Sequence, residues 1–153
     1  MARAVQRHWP QGAVLFLCGP GNNGGDALVA AQILREQGRV VSVFSLVDPS
    51  QRQGTAAWAQ TQWQGRWESQ CPDFRRFSVV VDGLLGIACN RAPEGLIRTL
   101  IRHVNDRVKQ INSQTRHKQV RVIALDCPSG VNCDTGDAPG EAISAHTTFS
   151  YLA

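Results

Sequence analysis

The chain has 153 residues, of which 42% are hydrophobic and 18% are charged, and its formal net charge is +4. This composition is typical of a globular protein and excludes a disordered chain. Because no run of about 18 apolar residues occurs, we expect no membrane-spanning helix. The first residues also lack the apolar segment of a secretion signal. The length suits a single domain over residues 1–153.

Apolar segments and helical patterns alternate along the chain in the order of βαβ units. The predicted strands are 13–18, 39–46, 78–82, 120–125 and 147–152. The predicted helices are about 26–37 (stopping at Gly38), 56–67, and one with Pro93 as its first residue and an apolar stripe at Ile97, Ile101, Val104, Val108 and Ile111. The strands are apolar throughout rather than alternating, which indicates a parallel, doubly wound α/β sheet buried on both faces.

The most particular segment is the glycine turn, residues 19–26 (GPGNNGGD), which links the first strand to the first helix. Free backbone N–H groups at the positive end of a helix bind phosphate and other anions. Asp26 would either cap the first helical turn or present its carboxylate to the site. The turn matches the dinucleotide spacing G-x-G-x-x-G, which is weak evidence alone, and it lacks the P-loop lysine. The alternative is an ordinary βα turn with left-handed glycines.

Asp82 and Asp126 each follow an apolar strand, where a carboxylate is partly desolvated. Three polar loops should converge at the carboxyl ends of the strands, namely 19–26, 82–91 and 126–130. The aspartates could perform acid/base chemistry, or coordinate a hard cation with oxygens of Asn23 and Ser129. The absence of His and Cys from that set favours an alkali or alkaline-earth ion over zinc. Alternatively, the aspartates only cap the turns that follow them.

The cysteines and arginines give weaker signals. The five cysteines show no C-x-x-C pair and no zinc spacing: Cys18, Cys71, Cys89, Cys127 and Cys133. Their odd number favours a reducing, cytoplasmic compartment. Cys89 and Cys127 lie in the polar loops, but no base partner for a nucleophile is evident. The arginines are scattered without interleaved aromatic residues, so the sequence does not predict a nucleic-acid partner.

Four ordered motifs give the chain a resemblance to the YjeF N-terminal domain family, the NAD(P)HX epimerases. The motifs are GPGNNGGD at 19–26, VVDGLLG at 80–86, APEG at 92–95, and LDCPSG at 125–130 with a Thr-Gly pair at 135–136. The resemblance covers nearly the whole chain. It implies a Rossmann-like, three-layer α/β/α sandwich with a mostly parallel sheet, and a damaged nicotinamide cofactor as substrate.

Members of this family interconvert the R and S forms of NADHX and NADPHX, which are hydrated at C6, so that an S-specific dehydratase, fused or separate, can restore the cofactor. By the resemblance, Asp126 would contact the substrate and act in acid/base chemistry, and Asn23, Asp82 and Ser129 would hold a potassium ion. The other substrate-binding residues would be Asn22, Asn23, Gly24, Gly25, Asp26, Gly86, Ile87, Ala88, Cys89, Asn90, Arg91 and Ala92.

The chain departs from the family pattern in two ways. The second loop usually reads Leu-Leu-Gly-Thr-Gly, whereas here Gly86 is followed by Ile87 and Ala88. Asn90 and Arg91 could compensate by contacting phosphate. The chain also looks truncated at both ends, and a homodimer would cover the missing surface. The alternative function is a non-catalytic dimerisation or scaffold domain, or an inactive fragment. A sugar or nucleotide kinase-like domain ranks last, since the P-loop lysine is absent.

Overall fold

The computed structural model describes residues 1–150. Within them, six strands form one sheet and four α-helices pack on it. The strands are β1 Val14–Cys18, β2 Val41–Ser45, β3 Arg66–Glu68, β4 Val79–Gly83, β5 Arg121–Leu125 and β6 Thr147–Phe149. The helices are α1 Ala2–His8, α2 Asn22–Glu36, α3 Gly54–Gln62 and α4 Gly95–Gln114. Short 3-10 turns lie at Pro49–Gln51 and Phe74–Arg76.

The order of strands across the sheet is β3-β2-β1-β4-β5-β6, and every neighbouring pair is parallel. The expected parallel, Rossmann-like α/β fold is therefore confirmed. The order changes direction between β1 and β4, which pair with Leu17 beside Asp82 and Cys18 beside Gly83. In such sheets the loops that leave the two strands at this point diverge, and a crevice opens between them. This places the predicted polar loops around one crevice.

Two apolar clusters lie on opposite faces of the sheet and make it the middle of three layers. The first-face cluster joins α1, α2 and α3 to strand residues such as Phe16 and Val43. The second-face cluster joins α4 to strand residues such as Leu15 and Leu17. All five residues of β1 are fully buried, which explains why this strand is apolar on both faces.

Some element boundaries differ from the sequence predictions. Helix α2 begins at Asn22, not near Asp26, because Gly21 is extended (φ −91°, ψ −165°) and serves as its N-cap. Gly38 is left-handed (φ +85°) just beyond α2, which confirms it as the glycine that follows this helix.

Further along the chain, α3 ends at Gln62, so the predicted helix over 56–67 is too long and its last residues belong to the edge strand β3. Helix α4 begins at Gly95 with Glu94 as its N-cap, so Pro93 is not its first residue. The final strand, predicted over 147–152, is observed over Thr147–Phe149, and residues 151–152 lie outside the described part. No helix among the described residues is long and apolar enough to cross a membrane.

Candidate functional site

The crevice between β1 and β4 holds a cavity of about 510 Å³ at the carboxyl ends of the strands. Its walls come from the glycine turn, the loop after β4 and the loop after β5. The lining residues are Pro20, Gly21, Asn22, Asn23, Asp26, Leu84, Leu85, Gly86, Ile87, Ala88 and Asp126. Residues from all three predicted loops therefore meet in one place. A concave site with a few convergent polar groups is the usual form of a small-molecule site.

The glycines of the turn allow the backbone segments around the crevice to approach closely. A Cβ at Gly19 would lie 1.7 Å from the carbonyl oxygen of Leu84, and one at Gly24 would lie 2.0 Å from the carbonyl oxygen of Gly19. A Cβ at Gly25 would lie 3.0 Å from Cα of Ala56 on α3. None of the turn's glycines has a positive φ. The alternative of left-handed glycines is thus wrong, and close contact explains these residues instead.

The amino end of α2 borders the cavity with uncapped backbone. Asn22 and Asn23 are its first two residues, and no side chain of residues 1–150 caps the amino end of the helix. The first N–H groups of a helix have no partner within it, so they are available to an anion. Asn22 Oδ1 accepts a hydrogen bond from the hydroxyl of Thr55 at 3.2 Å. Gly24 and Gly25 are buried and do not line the cavity, and their predicted part in substrate binding stays a prediction.

Asp26 lies one turn into α2 and so does not cap it, contrary to one of the two expected roles. Its side chain faces the cavity, as the other role required. Desolvation by burial, and then the negative charge of Asp126, raise the pKa of Asp26. Two carboxyl groups, one on α2 and one in the loop after β5, thus act on one another across the same cavity. Such a pair can both accept and donate a proton.

Asp126 directly follows β5 and has a left-handed backbone, with φ of 72°. It is the one non-glycine residue with positive φ among residues 1–150, a conformation that aspartate tolerates better than most residues. Its N–H donates to the carbonyl oxygen of Phe149 at 2.7 Å. A Cβ at Gly86 would lie 3.9 Å from Asp126 Oδ2 and 3.3 Å from Cβ of Asn23. Asp126, Gly86 and Asn23, which all belong to the predicted substrate-binding set, therefore lie close together in the structure.

Asp82 lies beneath the cavity and is fully buried. The hydroxyl of Ser129 donates to Asp82 Oδ1 at 2.6 Å, and the N–H of Ser129 donates to Oδ2 at 2.7 Å. The N–H of Leu84 donates to Oδ1 at 3.2 Å, so Asp82 does cap the turn that follows it. Burial raises the pKa of Asp82 to about 6, although these hydrogen bonds oppose the shift.

Asn23 and Ser129 complete a polar network around the backbone of Leu85. The amide of Asn23 donates to the carbonyl oxygen of Leu85 at 2.7 Å, and the N–H of Leu85 donates to the hydroxyl of Ser129 at 2.9 Å. Asn23 and Ser129, two members of the predicted cation set, thus both bond to the backbone of Leu85, and Asp82, the third member, joins them through Ser129. Among residues 1–150, no group of three or more His, Cys, Asp or Glu side chains is arranged to hold a metal ion.

A second cavity of about 390 Å³ adjoins the first and shares Leu85, Gly86 and Ala88 with it. Its remaining lining residues are Cys89, Asn90, Arg91, Ala92, Pro93, Glu94 and Ile97. The predicted second substrate loop, 86–92, is therefore divided between two adjoining cavities. Ile87 lines only the first of them, with 47% of its surface exposed. The two cavities together suit an elongated ligand better than a compact one.

The cysteines differ in part from what the sequence indicated. Cys127 and Cys133 form a disulfide, which spacing alone had not revealed. Cys127 is therefore not a free thiol for nucleophilic chemistry. Cys89 is free, and its thiol donates to the carbonyl oxygen of Arg91. Burial raises the pKa of Cys18 to about 12, which keeps this thiol neutral and unreactive.

Sequence reasoning missed Arg52, which it counted only among the scattered arginines. This side chain is 5% exposed and lies under the glycine turn, where it donates to the carbonyl oxygen of Gly19 at 3.0 Å. The available signal was its position just after the second predicted strand, at the end of the sheet where ligands bind. Leu85 was also missed, because its contribution comes from backbone atoms that carry no residue-type signal.

Comparisons with known proteins agree with this architecture. The chain is 40% identical over 150 residues to the NAD(P)H-hydrate epimerase of Achromobacter xylosoxidans (strain A8), covering 94% of this chain and 65% of that protein. It is 37% identical over 155 residues to the NAD(P)H-hydrate epimerase of Bordetella pertussis (strain CS), covering 97% of this chain and 63% of the relative.

Two more distant matches extend the comparison. The bifunctional NAD(P)H-hydrate repair enzyme of Leishmania braziliensis is 35% identical over 157 residues, covering 97% of this chain and 25% of the relative. The crystal structure of yeast ynu0 superposes with a TM-score of 0.78 at 21% identity, covering 96% of this chain and 64% of that one, which shows a shared fold. The family described as YjeF-related protein N-terminus matches residues 1–153. The chain therefore belongs to the YjeF-related protein N-terminus family.

Proposed function

We propose that the chain acts as an NAD(P)H-hydrate epimerase, interconverting the R and S forms of NADHX or NADPHX. The observation that carries this proposal is the cavity where the uncapped amino end of α2 meets the carboxyl groups of Asp26 and Asp126. The amino end of α2 offers N–H groups to an anionic nucleotide, and the two carboxyl groups can accept and donate protons. The two relatives named as epimerases are 37% and 40% identical in sequence to this chain over the aligned residues.

The proposed chemistry is a reversible opening of the hydrated ring. C6 of the hydrate carries a hydroxyl and is bonded to the ring nitrogen. Asp126 takes the hydroxyl proton as the bond from C6 to nitrogen breaks, the electron pair moves to nitrogen, and the oxygen becomes that of an aldehyde. After the aldehyde rotates, nitrogen adds to its other face and the proton returns to oxygen. Asp26, with its raised pKa, is placed to protonate the nitrogen and to recover that proton on closure.

The proposal includes a potassium ion held by Asn23, Asp82 and Ser129. The donors fit such an ion, because amide, carboxylate, hydroxyl and the nearby Leu85 carbonyl supply only oxygen. Asp82 is fully buried and is in none of the ion pairs formed among residues 1–150, so a bound cation would favour its ionised form. When bound, potassium would supply fixed positive charge that rigidifies the loops after β4 and β5 beneath the substrate.

The test is an epimerisation assay on the purified chain, with R-NADHX, potassium and an S-specific dehydratase, following NADH recovery above the spontaneous rate. Asp126→Asn should reduce kcat by at least about 100-fold, since it removes the base. It should leave the melting temperature nearly unchanged, because asparagine also tolerates positive φ. Asp134→Asn, an exposed residue of the same loop outside the cavity, is the matched control and should retain full activity.

A variant Asp126→Asn with full activity would contradict the catalytic assignment. No acceleration by folded wild-type protein would instead favour the second candidate, a non-catalytic dimerisation or scaffold domain. That candidate is supported by Ile87 and Ala88 in place of the family's Thr-Gly pair. It is also supported by two exposed tryptophans, Trp58 on α3 at 59% and Trp67 on the edge strand β3 at 38%.

An S-specific dehydratase, fused or separate, would consume the product, and the bifunctional name of the Leishmania relative supports such a link. A homodimer through the β3 edge is proposed from Trp58 and Trp67, and sedimentation of the purified chain would test it. A cytoplasmic location is proposed because three of the five cysteines, Cys18, Cys71 and Cys89, are free and only Cys127 and Cys133 are paired. Fractionation of cells would test it.

A further inference from the structure

Arg52 lies between the carboxyl end of β2 and the start of α3, with only 5% of its surface exposed. Its guanidinium donates to the carbonyl oxygens of Gly19 at 3.0 Å and Cys18 at 3.4 Å. It also donates to Ser45 Oγ at 2.8 Å and Gln60 Oε1 at 3.1 Å. One buried side chain therefore joins the ends of β1 and β2 to α3, directly beneath the glycine turn.

The charge of Arg52 is not balanced by a carboxylate, since the ion pairs within residues 1–150 all involve other arginines. Burial lowers the pKa of Arg52, because desolvation disfavours its charged form. A buried cation whose hydrogen bonds go only to neutral oxygens carries an electrostatic cost. An anion bound nearby would reduce that cost, so the arrangement favours an anionic ligand.

The backbone that Arg52 holds leads directly into the cavity. The N–H of Gly19 donates to the carbonyl oxygen of Gly83 at 2.9 Å, while its own carbonyl accepts from Arg52, so the peptide groups on both sides of Gly19 are fixed. Pro20 and Gly21 follow and line the cavity. A fixed positive charge behind the amino end of a 15-residue helix adds to the potential of the helix dipole.

We propose that Arg52 is a positioning residue for the diphosphate of a dinucleotide ligand. It fixes the Gly19 carbonyl, and hence the course of the turn, and it supplies positive charge behind the amino end of α2. The identity of the ligand rests on the proposed epimerase function. Within that ligand the diphosphate is the anionic part, whereas the hydrated nicotinamide ring is uncharged, so removal of Arg52 should affect binding more than turnover.

The experiment compares Arg52→Gln and Arg52→Lys with the matched control Arg39→Gln. Arg39 is also buried, at 9% exposure, and its guanidinium likewise donates to backbone carbonyls, those of Gly12 at 2.8 Å and Trp9 at 2.7 Å. These contacts lie at the amino end of the sheet, away from the cavity. Loss of either arginine should lower the melting temperature, but only loss of Arg52 should weaken ligand binding.

The measurements are KM and kcat for R-NADHX, and equilibrium affinity for NADHX and for hydrated dihydronicotinamide riboside, which has no phosphate. For Arg52→Gln we expect KM to rise by about tenfold or more, with kcat within about threefold of wild type. Arg52→Lys, which keeps the positive charge, should have a KM within about threefold of the wild-type value. Arg39→Gln should leave KM unchanged. The affinity loss in Arg52→Gln should be seen with NADHX and be absent with the riboside.

Equal losses for both ligands, or equal KM values for Arg52→Gln and Arg39→Gln, would show that Arg52 is merely structural and overturn the inference. If wild type binds NADHX in an Arg52-dependent manner but does not accelerate epimerisation, the inference stands and the epimerase function fails. If wild type neither binds NADHX nor accelerates its epimerisation, both are overturned. Folding of each variant is established beforehand by thermal unfolding.

Discussion

Gly19 marks the closest approach between the two loops that bound the crevice. Gly19→Ala would place Cβ 1.7 Å from the backbone carbonyl of Leu84, which cannot move aside as a side chain could. We expect the free energy of unfolding to fall by about 3 kcal/mol or more. Gly21→Ala is the matched control, because a Cβ there meets nothing within 4 Å. It should cost less than about 1 kcal/mol. Urea unfolding of both variants measures this, and similar losses would refute the steric explanation.

The carboxyl group of Asp82 predicts a particular dependence of stability on pH. Burial raises its pKa from the ordinary value of 3.8 to about 6, so the folded protein binds this proton more tightly than the unfolded chain does. In potassium-free buffer, the contribution of Asp82 should therefore be most favourable below pH 3.8 and decline as pH rises to about 6. Asp82→Asn should remove that decline, whereas Asp137→Asn, an exposed control, should retain it.

Potassium should act on the same group in the opposite sense, because the ion favours the ionised carboxylate. Above pH of about 6, where Asp82 is ionised, potassium chloride should raise the melting temperature relative to choline chloride. The increase should be lost at low pH and in Asp82→Asn. A potassium effect that persists in Asp82→Asn would exclude this carboxylate from the cation site.

The apolar stripe of α4 packs against the sheet and forms the helical side of the second-face cluster. Ile101 is fully buried in the second-face cluster, while Leu96 near the start of the same helix is 70% exposed. Ile101→Ala should destabilise the protein by about 2–5 kcal/mol, because it removes buried methyl groups and leaves a cavity. Leu96→Ala should change stability by less than about 0.5 kcal/mol. Chemical unfolding of the two variants provides the comparison, and equal effects would contradict the packing.

The sequence predicted α4 well because its stripe has a helical period, and it predicted the strands β1, β2, β4 and β5 because their apolar runs are unbroken. It failed at β3, a three-residue edge strand whose pairing with β2 depends on tertiary contacts. It also placed the start of α2 too late, since the two asparagines and two glycines that open it have low helix propensity.

The candidate site was predictable where residue type carries the chemistry, and the structure brings Asn23, Asp82, Asp126 and Ser129 around one crevice. Their assigned roles remain predictions. Two contributions could not be predicted. Arg52 acts through backbone carbonyls that are distant in sequence, and the Leu85 peptide acts through atoms common to every residue. The partner of Cys127 was likewise settled by the path of the loop, not by the spacing of cysteines.

The whole molecule should unfold as one unit, because the same strands supply both clusters. Adjacent residues of β1 alternate between them, with Phe16 on the first face and Leu17 on the second. Fluorescence reports on all four tryptophans, of which Trp63 and Trp9 belong to the first-face cluster. Circular dichroism reports on α2 and α4 from both faces. The two signals should give coincident urea transitions. A second step seen only by circular dichroism would show that the faces unfold separately.

The close backbone contacts at Gly19 and Gly24 also limit which substitutions could make the protein resistant to an inhibitor bound in this cavity. Part of the cavity wall is main chain around Gly21 and Gly86. A side chain at Gly19 or Gly24 would collide with carbonyl oxygens at 1.7 Å and 2.0 Å. A compound that hydrogen-bonds to this stretch of backbone would contact atoms that no point substitution removes. Resistance would have to arise where a new side chain is tolerated, at Gly21, whose Cβ would meet nothing within 4 Å, or at the rim residues Ile87, Asn90 and Arg91.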